Sequence, residues 1–228
     1  MWISVYSQND FNKDFNDRLL KYIYPPLPSQ VKFTKSFCEI LGMLDEYIGK
    51  PIEFANDDLI ELFGINKYDN ELAKHFRILT ENYEKEIATS FNIKVQANNR
   101  FYSKSLCSII NCLYVSGVSP LYQTLNKKYI LNLSDDLKYA YLKGAYQRFG
   151  GGNEISIANG INKLKTIALV MESLGVKNIK LYSSGPDTLP TDFILTFDST
   201  PILRSQIGYR DSESRLEYYH DKKIVRFN

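Results

Sequence analysis

The chain has 228 residues, 44% of them hydrophobic, and sets 28 basic residues against 26 acidic ones for a net charge of +2. That length supports a sizeable core in one large domain or two small ones, and no apolar run reaches the ~18 residues a membrane span needs. The slight basic balance neither demands nor excludes a nucleic acid, while Cys38, Cys107 and Cys112, an odd set without C-x-x-C, argue against a disulfide framework or a zinc site and fit a reducing intracellular compartment.

The first eleven residues, MWISVYSQNDF, have no basic n-region and no apolar h-region, so no secretory leader is expected. Residues 1–30 read as an arm and linker. Phe15, Leu19, Leu20 and Ile23 line one side of a helix from Phe11 to Tyr24, and Pro25-Pro26-Leu27-Pro28 then forces extended backbone. Thr34 to Gly49 predicts a helix with Phe37, Ile40, Leu41 and Leu44 on its stripe, Gly42 beside them and Lys50-Pro51 as the stop. Ile52 and Phe54 alternate with Glu53 and Ala55 as a short strand, and Asn56 or Asp57 caps a short helix through Phe63 that Gly64 ends. Asn70 to Asn92 is the longest helical run, with His75 at the edge of its apolar face. IKVQA-NN-RFYSK is a hairpin signal, and Ser105 to Tyr114 a further helix carrying Cys107 and Cys112.

The second half runs in the same order. Ser134 or Asp135 caps a helix from Leu137 to Phe149, whose stripe includes the small residues Gly144 and Ala145. Gly150-Gly151-Gly152 breaks it into a strand, Glu154 to Ala158. This glycine run leaves a helix and enters a strand, the reverse of a phosphate-cradling loop. A helix from Asn162 to Leu174, strands at Asn178 to Ser183 and Asp192 to Phe197, and a short helix from Thr200 to Ile207 follow. The chain is therefore α/β (α+β), an α-β-α-β-β-α unit occurring twice: residues 31–130 form the first repeat, 131–210 the second, and 211–228 a charged tail. Each unit has a helical seam of small residues and too little core alone. Packing seam to seam through Gly42, Gly144 and Ala145 predicts a monomer with an internal pseudo-two-fold and two antiparallel sheets.

At these residues the chain resembles the LAGLIDADG homing endonucleases and the related maturases. Tyr141-Leu-Lys-Gly-Ala-Tyr-Gln-Arg-Phe149-Gly150 looks like the second motif, and Ile40-Leu-Gly-Met-Leu-Asp-Glu-Tyr-Ile48 is similar to the first. The resemblance covers roughly 31–209 and implies two motif helices at the centre and a saddle of sheets for DNA. It also implies a carboxylate ending each motif helix, the pair holding Mg²⁺ for phosphodiester hydrolysis. The matching positions are Tyr47 and Phe149, and neither side chain takes that role. Asp45 points roughly 160° away from Tyr47 on a helix, and a register using Glu46 loses Gly42. Asp45 and Glu46 are thus fallbacks only, and Gln147 and Asn153 are poor ligands. The expectation is a scaffold without cleavage and without a metal or other cofactor, Mg²⁺ being needed only if cleavage is retained.

Readout of DNA survives loss of cleavage, because antiparallel ribbons fit the major groove. In the first repeat, Lys94 and Gln96 share a face, with Arg100, Tyr102 and Lys104 expected beside them, and Ile93, Val95, Ala97 and Phe101 facing the helices. The second repeat offers the thinner set Ser156, Asn159, Lys180, Tyr182 and Thr196, with Arg204, Gln206 and Arg210 near its end; Glu53, Asp192 and Asp198 oppose phosphate. Three readings stand: a sequence-specific double-stranded DNA-binding protein, an intron maturase holding structured RNA, and a protein-interaction module, which the near-neutral charge favours.

Overall fold

The computed structural model describes residues 31–44, 61–64, 70–96, 99–116, 123–158, 160–184, 192–211 and 223–225. The expected N-terminal arm, the strand at Ile52–Ala55, the end of the first motif with Asp45, Glu46 and Tyr47, and most of the charged tail lie outside them, as do Glu53 and Asn159.

In chain order the described elements are α1 (Lys35–Met43), β1 (Glu61–Gly64), α2 (Asn70–Ile87), β2 (Lys94–Gln96), β3 (Arg100–Tyr102), α3 (Lys104–Asn111), β4 (Tyr114–Ser116), β5 (Gln123–Leu125), α4 (Lys127–Leu131), α5 (Asp135–Phe149), β6 (Gly150–Gly151), β7 (Glu154–Ala158), α6 (Ile161–Ser173), β8 (Lys180–Ser184), β9 (Asp192–Thr196), α7 (Pro201–Ile207) and β10 (Lys223–Val225). Local chemistry sets the ends. The Thr34, Ser103 and Thr200 hydroxyls accept from the backbone N–H of the third residue of α1, α3 and α7. Ser134 caps α5 through its backbone conformation, without a side-chain hydrogen bond. Gly208 leaves α7 in the left-handed region at φ 66°, and Gly175 follows α6 at φ 80°.

Four sequence expectations change. The first motif helix stops at Met43, because Leu44 is extended at φ −75°, ψ 150°. The long helix stops at Ile87, where Ala88 turns left-handed at φ 55°, so Phe91 is buried from outside the helix. Residues 61–64 are strand and not helix: Phe63 pairs with Phe101 and Gly64 with Arg100, a non-local ladder that overrides the local pattern. The helix placed at 105–114 is Lys104–Asn111, and Tyr114 opens β4. The sequence also concealed β4, β5 and α4.

The chain forms two compact units. One holds the described residues of Glu46–Asp69 and Thr89–Asn126, the other those of Phe33–Asp45, Asn70–Ala88 and Lys127–Asn228. The first unit contains the antiparallel sheet β1-β3-β2, the pair β4-β5 and α3. Its hairpin closes on Gln96 paired with Arg100, with Asn99 left-handed at φ 54°, so the connection is a three-residue one. The Ser103 hydroxyl donates to the Phe91 carbonyl at 2.7 Å while capping α3, tying the helix start to the chain before the hairpin.

The second unit contains both motif helices, α1 and α5, with α2, α4, α6, α7 and the antiparallel sheet β10-β8-β9-β7-β6. On one sheet face Ile155, Ile157, Leu181, Phe193 and Leu195 are buried, and α6 packs against β7 and β9. Phe37, Ile40, Leu41, Tyr141, Leu142 and Tyr146 are 0–1% exposed, and each such side chain contributes about 1.5–3 kcal/mol of transfer free energy. Phe37 stacks on Tyr83 with ring centroids 4.5 Å apart, fixing α2 against α1. Among the described residues no helix is long and apolar enough to cross a membrane.

Candidate nucleic-acid interface and the motif-helix seam

The seam between α1 and α5 is built as the small residues predict. The helices run parallel: Lys35 pairs with Asp136 at 3.0 Å near the start and Glu39 with Lys143 at 3.0 Å midway. Arg148 then reaches the Met43 carbonyl at 2.5 Å near the end. A Cβ on Gly42 would drive into the Tyr141 carbonyl, and one on Gly144 into the Glu39 carbonyl. Ala145 is fully buried beside them. Glycine is required here for close approach of two backbones.

One polar group sits inside this seam. Glu39, 6% exposed, takes His75 Nε2 from α2 at 2.6 Å and Lys143 Nζ from α5 at 3.1 Å. The carboxylate thereby links three helices, and His75 is a core-edge histidine with a defined partner. The signal in the sequence was an acid between Cys38 and Ile40 on an otherwise apolar run.

The two helices present their C-terminal carbonyls side by side, and cations serve them. Lys163 of α6, 6% exposed, donates to the Leu41 and Leu44 carbonyls, and Arg148 to that of Met43. Arg210 Nη2 donates to the carbonyls of Tyr146, Gln147 and Gly150 at 2.8–3.2 Å. Phe149, at the position where the resemblance implies an acid, is half-buried with Arg148 4.8 Å and Lys163 5.3 Å from its ring centroid. Both approach the ring as cation–π partners. A phenyl ring and two cations do not fit a divalent metal, which requires hard oxygen donors. Asn153 spends its Oδ1 on the Ser199 and Tyr209 hydroxyls. Gln147 Oε1 is buried with no hydrogen-bond partner among the described residues, on the side of α5 that meets Gly208 of the α7 end.

The first-repeat ribbon sets Lys94 opposite Tyr102, Val95 opposite Phe101 and Gln96 opposite Arg100, one residue from the register of a two-residue Asn98-Asn99 turn, and so puts Lys94, Gln96, Arg100 and Tyr102 on one face. Lys94 and Arg100 are exposed. Two residues expected with them are not available. Tyr102, on the central strand of its sheet, is 3% exposed. Lys104 opens α3 and is half-buried, off the ribbon. Val95 was expected to face the helices and is 40% exposed on its edge strand.

In the second sheet, register places Ser156, Lys180, Tyr182 and Thr196 on one face, together with Glu154, Asp192 and Ile194. Ser156 and Lys180 are exposed, while Tyr182 is half-buried. The charge of this face is not positive, since one lysine meets two acids. Arg204 bonds Ser199 through Nε at 2.7 Å and stacks 4.5 Å from the Tyr209 ring, and Gln206 is exposed on α7, away from the strands. Arg210, expected to meet DNA, is exposed and also spends its Nη2 on the end of α5, a cation at the negative pole of a helix. The Tyr146 hydroxyl accepts the Arg210 backbone N–H at 3.2 Å, and burial pushes this phenol above its ordinary range. The described thiols are structural: burial pushes Cys38 up to about 12 and raises Cys107 further, and half-buried Cys112 is raised for the same reason.

This arrangement, parallel small-residue helices with mixed helix and antiparallel sheet, is the LAGLIDADG homing-endonuclease fold. Solved structures of the homing endonuclease I-DmoI share it. Mesophilic variants of I-DmoI match over 79% of this chain and 97% of theirs, with 16% identity and a TM-score of 0.53. A complex of I-DmoI with DNA and Mn matches over 78% and 94% at 18% identity, TM-score 0.51, and one with DNA and Ca over 76% and 86% at 17%, TM-score 0.50. No protein-family model and no curated protein matches the chain.

Proposed function

We propose that this chain is a sequence-specific double-stranded DNA-binding protein on a homing-endonuclease scaffold, with phosphodiester cleavage lost. The β2–β3 ribbon carries the reading. Lys94, Gln96 and Arg100 hold the alternating positions of one strand pair, with Lys94 and Arg100 exposed. A two-stranded ribbon fits the major groove; Arg suits guanine, Gln suits adenine and Lys suits phosphate. The likeness to structures solved in complex with DNA supports the same partner. Loss of cleavage is supported by Phe149, with two cations at its ring, where the family pattern needs a carboxylate.

Selection from a randomised duplex library, in Mg²⁺ and in EDTA, tests both halves. The expected result is one long, weakly palindromic site, recovered uncut in both buffers. Cut product in Mg²⁺ refutes the loss of cleavage. No recovery at low salt refutes DNA binding, and capture of a structured transcript in its place assigns the ribbon to RNA.

A further inference from the structure

Two parallel helices that end together place two negative poles side by side, each equivalent to roughly half an elementary charge. A cation is stabilised there. In a motif-helix pair ending in two carboxylates, a divalent ion supplies it; this chain has Phe149 instead, and its own cations on the carbonyls. We infer that Lys163, seconded by Arg148 at the end of α1 and matched by Arg210 at the end of α5, is the resident counter-ion of the helix-pair terminus, replacing a divalent ion with fixed side chains. Three observations carry this. Lys163 is 6% exposed, so its charge is not there for solvent. It donates to the Leu41 carbonyl in the last turn of α1 and to that of Leu44 just beyond it, while Arg148 takes the Met43 carbonyl between them. Both cations also approach the Phe149 ring, whose electron-rich face takes the place of an anionic oxygen. The inference rests on the fold and this cluster alone, and it stands or falls without DNA.

The test is thermal melting of the full chain in EDTA and across a Mn²⁺ titration, with paramagnetic water relaxation as a direct readout of bound Mn²⁺. For the unmodified chain the expected result is no saturable Mn²⁺ binding and an unchanged Tm. A built site would raise Tm by about 5–10 °C at a hundredfold excess over its Kd, and seeing that rise overturns the inference. Lys163→Met leaves two buried carbonyls unpaired and is expected to lower Tm by roughly 4–10 °C. Lys165→Met, on the half-buried side of the same helix, is the control and is expected to change nothing. Equal melting of the two variants overturns the role of Lys163. The double variant Phe149→Glu/Lys163→Met exchanges the fixed charge for a carboxylate. It is expected to gain a saturable Mn²⁺-dependent rise in Tm, which a merely structural lysine does not predict; indifference to Mn²⁺ counts against the exchange. Should these variants fail to fold, the titration of the unmodified chain still decides.

Discussion

Gly144→Ala pits two effects of opposite sign against each other. In an isolated helix the substitution gains about 0.8–1.0 kcal/mol of propensity. In the seam the new Cβ lies 3.1 Å from Glu39 Cα and 2.8 Å from the Glu39 carbonyl carbon, with the carbonyl oxygen nearer still. These are backbone atoms and cannot rotate away, so α1 and α5 must separate. Overpacking of this kind costs typically 1–3 kcal/mol and at times more. A gap of 0.5–1 Å also forfeits about a quarter to a half of each contact's dispersion well along the seam. Separation further stretches the 3.0 Å Lys143–Glu39 pair. The net expectation is destabilisation by about 2–3 kcal/mol, a fall in Tm of roughly 4–12 °C for a chain of this size. Thermal melting by circular dichroism, backed by urea unfolding, measures it. Gly42→Ala meets the Tyr141 carbonyl from the other helix and should cost a similar amount. The double variant should cost less than the sum, because one separation relieves both clashes. A Gly144→Ala variant as stable as the original, or more stable, refutes the close-approach reading of the seam.

Glu39→Gln removes a buried carboxylate with two basic partners, and is expected to destabilise by about 1–3 kcal/mol, since both partners reach solvent and recover part of the loss; chemical denaturation checks it. Cys38 and Cys107 should resist thiol reagents in the native state at pH 8 and label only on unfolding, while Cys112 labels first, as mass spectrometry of timed aliquots will show. Because burial raises the Cys38 thiol from 9.0 to about 12, the stabilisation it lends is complete below pH 9 and is lost as pH climbs toward 12, so urea midpoints should decline across that window. Lys94→Ala and Arg100→Ala should each weaken DNA binding and flatten the slope of log affinity against log salt by up to about one unit, read by fluorescence anisotropy, with cost spread over all sequences for a phosphate contact and confined to one base position for a base contact.

The seam was legible because two glycines on apolar helical stripes have no local purpose; only a facing backbone explains them. The existence of the hairpin was legible from its alternation, but its register was not, since a three-residue connection stands where Asn98-Asn99 suggested a two-residue turn. Depth was not. Tyr102 lies on the expected face, yet it is 3% exposed, and nothing within RFYSK encodes that. Residues 61–64 carry a short apolar pair that suits helix or strand equally, and the ladder to β3 about 40 residues later decides. Arg210 is an exposed cation, as read, but its bonds to the end of α5 were not legible because those carbonyls lie 60–64 residues earlier in the chain. Lys163 was one polar residue at the start of a helix, and its placement under the end of α1 is set by tertiary packing across more than a hundred positions.

That separation has a consequence for how the protein is made. Lys143 follows Glu39 by 104 residues, so at translation rates of about 5–20 residues per second the first motif helix leaves the ribosome roughly 5–20 s before its mate. During that interval the groove at Gly42 has no backbone to fill it, and the Glu39 carboxylate waits for its lysine. Closure therefore waits until the chain has been made past Phe149. A message broken before Phe149 delivers a first helix whose partner never arrives, which makes synthesis of the second helix the checkpoint for assembling the centre of the fold.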